Sequence, residues 1–319
     1  MIIARFALAA LAALAASHAI AQEFPSKIVR LVIPYPPGGS AEAQARIVAQ
    51  ALSDDWKQPV IIENKPGAGT TLGAAFVAKA PPDGYTLYLA STSHTIAQSL
   101  YKDLPYHAAK SFAAISLIAV SPLILTVAPG VKAQSVRELV ELAKTTPNGL
   151  TYASSGSGAS PHLSAEIFRA AVSMNALHVP FKGAGPMLTA LLGRQVDWAF
   201  ADTAVLALLQ AGKLRALAVS TRERSAFLPD VPTMAEAGIA GYSTTNWSML
   251  LAPAGTPRDI VMRINASLHR AVALPEVKQR FNAQGFEPRA STPDEVDAQL
   301  AAEVVKYAKA IADSGAKVD

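Results

Sequence analysis

The chain contains no cysteine, which excludes disulfide cross-links, thiolate metal sites and a thiol nucleophile. It is also poor in aromatic residues, at 7%, and in charged ones, at 16%. The charges nearly balance, 28 basic against 24 acidic, and no basic run occurs, so the pattern argues against a nucleic-acid partner. Six histidines without cysteine do not make a closed zinc site. No G-x-S-x-G elbow is present, and the S-x-x-K match from Ser99 to Lys102 lacks its S-D-N and K-T-G companions. PGAGTTLG (66–73) has the spacing G-x-G-x-x-x-G, which is not the dinucleotide fingerprint. No cofactor and no metal are expected.

Beyond the first residues the long uncharged stretches, 111–131 and 237–257, are interrupted by Pro and Gly and are not expected to cross a bilayer. The start is different. Arg5 precedes FALAALAALAA, and the stretch ends in Ala19-Ile20-Ala21. This is the layout of a secretory signal peptide over residues 1–21, cleaved after Ala21, which places the mature chain in the periplasm. No cysteine follows the cleavage site, so no lipid anchor is expected. An exported chain of this length without disulfides is held by its hydrophobic cores alone, and two lobes are the natural division.

Strand-like and helix-like segments alternate along the mature chain. IVRLVI (28–33), PVIIEN (59–64), YTLYLAS (85–91), LTYASS, ALHVPF, VDWAFAD and LRALAVS read as strands, with helical periodicity between them. From Pro257 onward the chain reads as mostly helical. The fold class is therefore α/β, with mostly parallel sheets covered by helices. AAISLIAVSPLILTVAPG (113–130) is long enough for two strands broken at Ser121-Pro122. Residues 214–233 leave a strand for a charged, Pro-rich link. If both are crossings, residues 22–124 and 222–319 form a discontinuous first lobe and 125–221 a second, with a ligand cleft between them.

Two corners stand out. YPPGGSAEAQAR (35–46) leads from a strand to a helix through Gly38, Gly39 and Ser40. Glycines let backbone approach a ligand closely, and a helix start presents unpaired N–H groups to an anion. SSGSGASPHL (154–163) repeats the design, with Pro161 at the helix start. Taken singly, each also reads as a capped turn. Placed one per lobe at carboxyl ends of strands, both would face a shared cleft, where ligands of open α/β sheets bind.

VIPYPPGGSAEAQAR, PVIIENKPGAGTTLGA, APPDGYTLYLAS, LTYASSGSGASPHLSAEIF, HVPFKGAGPMLTALLGRQVD, AGKLRALAVS, LPDVPTMAEAGIAGY and LLAPAGTP together resemble the Bug family, periplasmic receptors of tripartite tricarboxylate transporters. The resemblance covers nearly the whole mature chain. It implies a two-lobed periplasmic-binding-protein fold of the type II kind that closes on a small carboxylic acid and delivers it to a two-component membrane permease. It further implies that backbone amides and ordered waters grip the carboxylate, here at Tyr35, Gly38, Gly39, Ser40 and Ala41, and at Ser155, Gly156, Ser157, Gly158, Ala159 and Ser160. Glu42 stands where the family usually has aspartate, and Ala159 where it usually has threonine or serine.

Other residues belong to the same expected cleft. Thr92, Ser93 and His94 follow a strand; His94 is a donor to ligand or a helix-start contact. Lys182 and Gly183 sit at another strand-to-helix corner. Asp202 caps the next helix or orients an amine on the ligand, capping being favoured. Trp247 is core or a cleft wall, core being favoured. His162 and Glu166, four apart, would offer two metal ligands without a third in sight. The reading is a monomeric solute-binding protein for a di- or tricarboxylate, an acidic amino acid or an aromatic acid, and not an enzyme. The alternatives are an exported serine hydrolase and a receptor feeding a signalling system.

Overall fold

The computed structural model describes residues 24–38 and 40–317. The expected signal peptide and its cleavage site lie outside the described residues, as does Gly39. β1 (Val29–Ile33), β2 (Val60–Asn64), β3 (Thr86–Ser91), β4 (Phe112–Ser121), β10 (Asn246–Pro253) and β11 (Glu287–Pro288) form one sheet in the order β11-β4-β10-β3-β1-β2. β5 (Ile124–Val127), β6 (Leu150–Ser154), β7 (Ala176–Pro180), β8 (Trp198–Ala201) and β9 (Arg215–Val219) form a second in the order β7-β6-β8-β5-β9. The central strands are apolar almost throughout, β1 being buried at every position but Arg30, because helices cover both faces of each sheet.

In the first sheet, α1 (Ser40–Trp56), α8 (Arg258–Ala273) and α9 (Pro275–Ala283) close one face around Ile47, Leu52, Ile264, Leu268 and Phe281. α2 (Thr71–Ala78) and α10 (Pro293–Ser314) close the other around Val77, Tyr88, Trp247 and Leu300. In the second sheet, α4 (Val136–Thr145) and α5 (Ser160–Val172) cover one face, with Leu139 and Phe168 packed on Tyr152 and Trp198. α6 (Ala184–Leu192) and α7 (Leu206–Gln210) cover the opposite face. Trp247 is core, 2% exposed.

Parallel pairing holds for β1 with β2 and β3, and for β6 with β7 and β8. Pairing around the crossings is antiparallel: β10 with β3 and β4, β11 with β4, and β5 with β8 and β9. The sheets are thus mixed rather than mostly parallel, because a strand that arrives from the other sheet need not follow a right-handed βαβ crossover.

The chain leaves the first sheet at Ser121 and enters the second at Ile124. Pro122 makes the break: it has no N–H to donate to a sheet ladder. The return is later than residue 222. Val219 bridges Thr233, Thr244 N–H donates to Ser220 O, and Met234 and Tyr242 pack in the second sheet's core. Pairing with the first sheet resumes only at Asn246. A separate apolar cluster joins the two halves: Ile96, Leu163, Tyr307 and Ile311 pack together, with Leu100 and Ile167 against them.

Candidate functional site

The corners after β1, β2 and β3 lie at the carboxyl ends of three parallel neighbours, so topology alone puts them on one edge of the first sheet. Tyr35 ties them together. Its hydroxyl lies 2.6 Å from Ser91 Oγ and donates to Ser93 Oγ at 3.3 Å, while its carbonyl accepts from Asn64 Nδ2 at 3.0 Å. Gly38 has φ 93°, a conformation that favours glycine. Its N–H donates to Glu42 Oε2 at 2.5 Å, and Glu42 Oε1 accepts from Arg46 at 2.5 Å. The Gly38 N–H bond, then Arg46, hold the Glu42 carboxyl below its usual range. The extra methylene that sets Glu42 apart from aspartate is spent reaching back to this amide. Ser40, the first residue of α1, is exposed and Ala41 half-buried.

The residues after β3 divide. Ser93 stays half-buried beside Tyr35. Thr92 is 3% exposed; its Oγ1 donates to Thr245 O and accepts from Trp247 N–H, so it fastens the start of β10. His94 is fully buried on α3 (Thr92–Leu100), with Nε2 2.8 Å from Ala108 O and the rings of Tyr88, Tyr106 and Phe112 around it. Burial takes its pKa down to about 4. His94 is therefore a core histidine held by Ala108 O and not by a contact at its own helix start.

In the second half, Ser154 Oγ donates to Gly156 O at 3.0 Å and accepts from Gly156 N–H at 3.2 Å. Gly158, φ 74°, donates its N–H to His162 Nδ1 at 2.9 Å. Ala159 N–H donates to Gly156 O, and Gly183 N–H to Ser155 O. Three amides of this corner are thus already engaged within the protein. Ser160 is 7% exposed, and its Oγ is buried with no hydrogen-bond partner. It opens α5, with Pro161 in the first turn. Ser155 and Ser157 are half-buried. Lys182 is exposed, while Gly183 (φ 104°) caps α6 from half-buried backbone. Asp202 accepts from Ala204 N–H at 3.0 Å, and burial pushes its carboxyl above the usual value. It is a cap.

The two corners are linked through α3. Its first turn carries Ser93, held by Tyr35, and its last residue, Leu100, lies over Gly158. At 1.5 Å per residue the intervening span is about 10 Å. A second approach of the two halves comes at Thr203 and Gly285, where a Cβ on the glycine would fall 2.4 Å from Thr203 Oγ1.

A serine–histidine contact exists, Ser154 Oγ to His178 Nε2 at 2.7 Å, and distances of this kind mark nucleophile–base pairs. Here the serine is fully buried and tied to Gly156. His178 stacks on His162, ring centroids 3.9 Å apart, and Glu166 is taken by Tyr152 and Arg169. The same bonds direct His162 and Glu166 to different partners. Among the described residues no group of three or more His, Asp or Glu is arranged for a metal ion, and no helix is long and apolar enough to cross a membrane.

Two mixed sheets, each coated by helices and joined by two crossings, with Gly/Ser corners at strand ends, define a two-lobed solute-binding protein of the periplasmic type. The chain belongs to the tripartite tricarboxylate transporter receptor family, whose model matches residues 44–315. It is 34% identical to BugT of Bordetella pertussis over 301 residues, 93% of this chain and 92% of that protein. An R. palustris protein solved with adipate superimposes with a TM-score of 0.78 at 32% identity, covering 93% of this chain and 100% of that one. MatC from Rhodopseudomonas palustris with bound malate gives 0.74 at 30% identity, covering 90% and 100%.

Proposed function

We propose that the protein is a periplasmic receptor that takes one small carboxylic acid between its lobes and closes on it for delivery to a membrane permease. The lobes are the two sheets with their helices, and the crossings after Ser121 and before Asn246 are the hinges. The ligand carboxylate sits between the first turn of α1 and the first turn of α5. Ser160 carries this reading: a hydroxyl buried without a partner at a helix N-terminus is a donor waiting for an anion. The adipate and malate of the two structural relatives support the ligand class, and the family supports transport over catalysis.

Because Gly38, Gly156, Gly158 and Ala159 spend their amides internally, the ligand's donors are the amides of Ser40, Ala41, Ser157 and Ser160 and the Ser160 hydroxyl. The internally bonded amides keep these donors in place before a ligand arrives, which lowers the ordering cost of binding. Closure follows because the carboxylate gains bonds to both lobes only in the shut form.

A thermal-shift and calorimetric screen of small acids against the mature chain tests the reading. The expected result is stabilisation by at least one di- or tricarboxylate, acidic amino acid or aromatic acid, without turnover. Amide donors carry no full charge, so affinity should fall little as salt rises. Absence of any stabilising acid, or hydrolysis of an ester lost on replacing one serine, would remove it.

A further inference from the structure

The second corner rests on an internal imidazole pair that the carboxylate reading does not use. His162 on α5 and His178 on β7 stack face to face, centroids 3.9 Å apart and planes 5° from parallel. Each reaches the corner above. His162 Nδ1 accepts the Gly158 N–H, so that nitrogen must carry a lone pair. His178 Nε2 meets Ser154 Oγ, whose single proton goes to Gly156 O at 3.0 Å and which accepts from Gly156 N–H. His178 then donates to that oxygen, completing its bonding. Below the pair, Tyr152 stacks on both rings and Trp198 on Tyr152.

We propose that His162 and His178 are positioning residues for ligand capture, holding the Gly156–Gly158 backbone so that the Ser157 and Ser160 donors point at the ligand, and that they do so only while both rings are neutral. The proposal rests on the carboxylate reading for what is captured. A proton on His162 Nδ1 would set N–H against the Gly158 N–H and free that amide to move. Two imidazolium rings at stacking distance would also repel.

The groups facing the pair are few. On α5 they are Glu166 and Arg169, which bond to each other, Glu166 also accepting from the Tyr152 hydroxyl of β6. On β7 and β6 they are the second histidine and Tyr152. α10 meets α5 through Leu163 and Ile167, in a cluster that includes neither histidine. Desolvation leads in lowering both pKa values; with His162 and then Arg169 adding to it, His178 comes down to about 4, whereas at His162 the pull of Glu166 runs the other way and Arg169 lowers. The neutral pair is thus the resting state at neutral pH.

The test uses the mature chain, malate and adipate as probe acids, and the variants His162→Phe and His162→Asn. Phenylalanine keeps the stack and removes the acceptor; asparagine offers Oδ1 to the Gly158 N–H. At pH 7.5 His162→Phe should bind about tenfold more weakly with a melting temperature near that of the unmodified chain, and His162→Asn should recover most of the loss. As pH drops from 6.5 toward 4, where malate and adipate themselves take up protons, the unmodified chain should lose affinity more steeply than His162→Asn, which lacks the imidazole at that position. Unchanged affinity in a folded His162→Phe chain overturns the proposal. If that variant does not fold, equal pH profiles in the unmodified chain and His162→Asn do so. Should neither probe bind the unmodified chain, exchange of the Gly158 amide proton decides by itself. About tenfold faster exchange in His162→Phe, reversed in His162→Asn, supports the positioning role, and equal rates reject it.

Discussion

Leu100 lies directly over Gly158, so close that a Cβ on the glycine would fall 2.5 Å from Leu100 Cδ1. The contact joins the end of α3 in the first half to the proposed ligand corner of the second. Leu100 itself packs on Ile96, Leu163, Tyr307 and Ile311, a cluster drawn from α3, α5 and the C-terminal helix α10. Packed interiors transmit displacement instead of absorbing it. Movement of one half is therefore felt at Gly158.

Gly158→Ala should separate two effects. The backbone at φ 74° costs a residue with a Cβ about 1–2 kcal/mol, and the methyl must also displace Leu100. Affinity for any acid found in the screen should fall about tenfold or more, with a smaller loss of melting temperature. Adding Leu100→Ala should recover the steric part alone, a coupling that calorimetry of the four chains measures. Strict additivity would mean that the two side chains do not meet.

His94 makes a prediction about acid stability. It is fully buried, with a pKa of about 4 against 6.5 for an exposed histidine. Between those values the unfolded chain binds the proton and the folded chain does not, so stability falls as pH drops below 6.5 and levels off below about 4. The difference integrates to about 3 kcal/mol for this one group. In His94→Gln, which retains a donor for Ala108 O, urea midpoints at pH 7.5 and 4.5 should lie closer together than in the unmodified chain. An identical pH slope in both chains would show that His94 titrates normally.

The corners were legible because their chemistry is local. Gly38, Gly158 and Gly183 all take positive φ, and Gly, Ser and Pro announce such turns in sequence. The break at Pro122 was legible for the same reason. What escaped depends on partners far along the chain. Thr92 looked available until Thr245 and Trp247 closed on it, and His94 until Tyr88, Tyr106 and Phe112 enclosed it. β10 passes between β3 and β4, but nothing in YSTTNWSMLLAP specifies antiparallel neighbours. The one sequence signal for the imidazole pair was a histidine in the first turn after Gly158, its reach back to the Gly158 amide being one residue longer than that of a capping box. Its stacking partner His178 lies on a separate element, β7, and could not be inferred.

Glu303 offers the sharpest test of how α10 holds the molecule together. This carboxylate is 6% exposed. It accepts from Trp247 Nε1 at 2.7 Å, Thr95 Oγ1 at 3.2 Å and Gln299 Nε2 at 3.2 Å, with Lys306 Nζ 3.8 Å away. Its partners belong to β10, α3 and α10, so one side chain pins the last helix to the face from which α3 runs to Gly158. In Glu303→Ala the indole N–H loses its acceptor and Lys306, whose pKa burial already lowers, loses its counter-charge. Leaving the buried indole N–H without its acceptor costs about 1–3 kcal/mol, and Lys306, a third exposed and 3.8 Å away, adds little to that. Glu303→Gln keeps an oxygen for Trp247 and should lose about half as much. Denaturant melts of the three chains would give these differences, and a Glu303→Ala loss below about 1 kcal/mol would show α10 held by its apolar contacts alone.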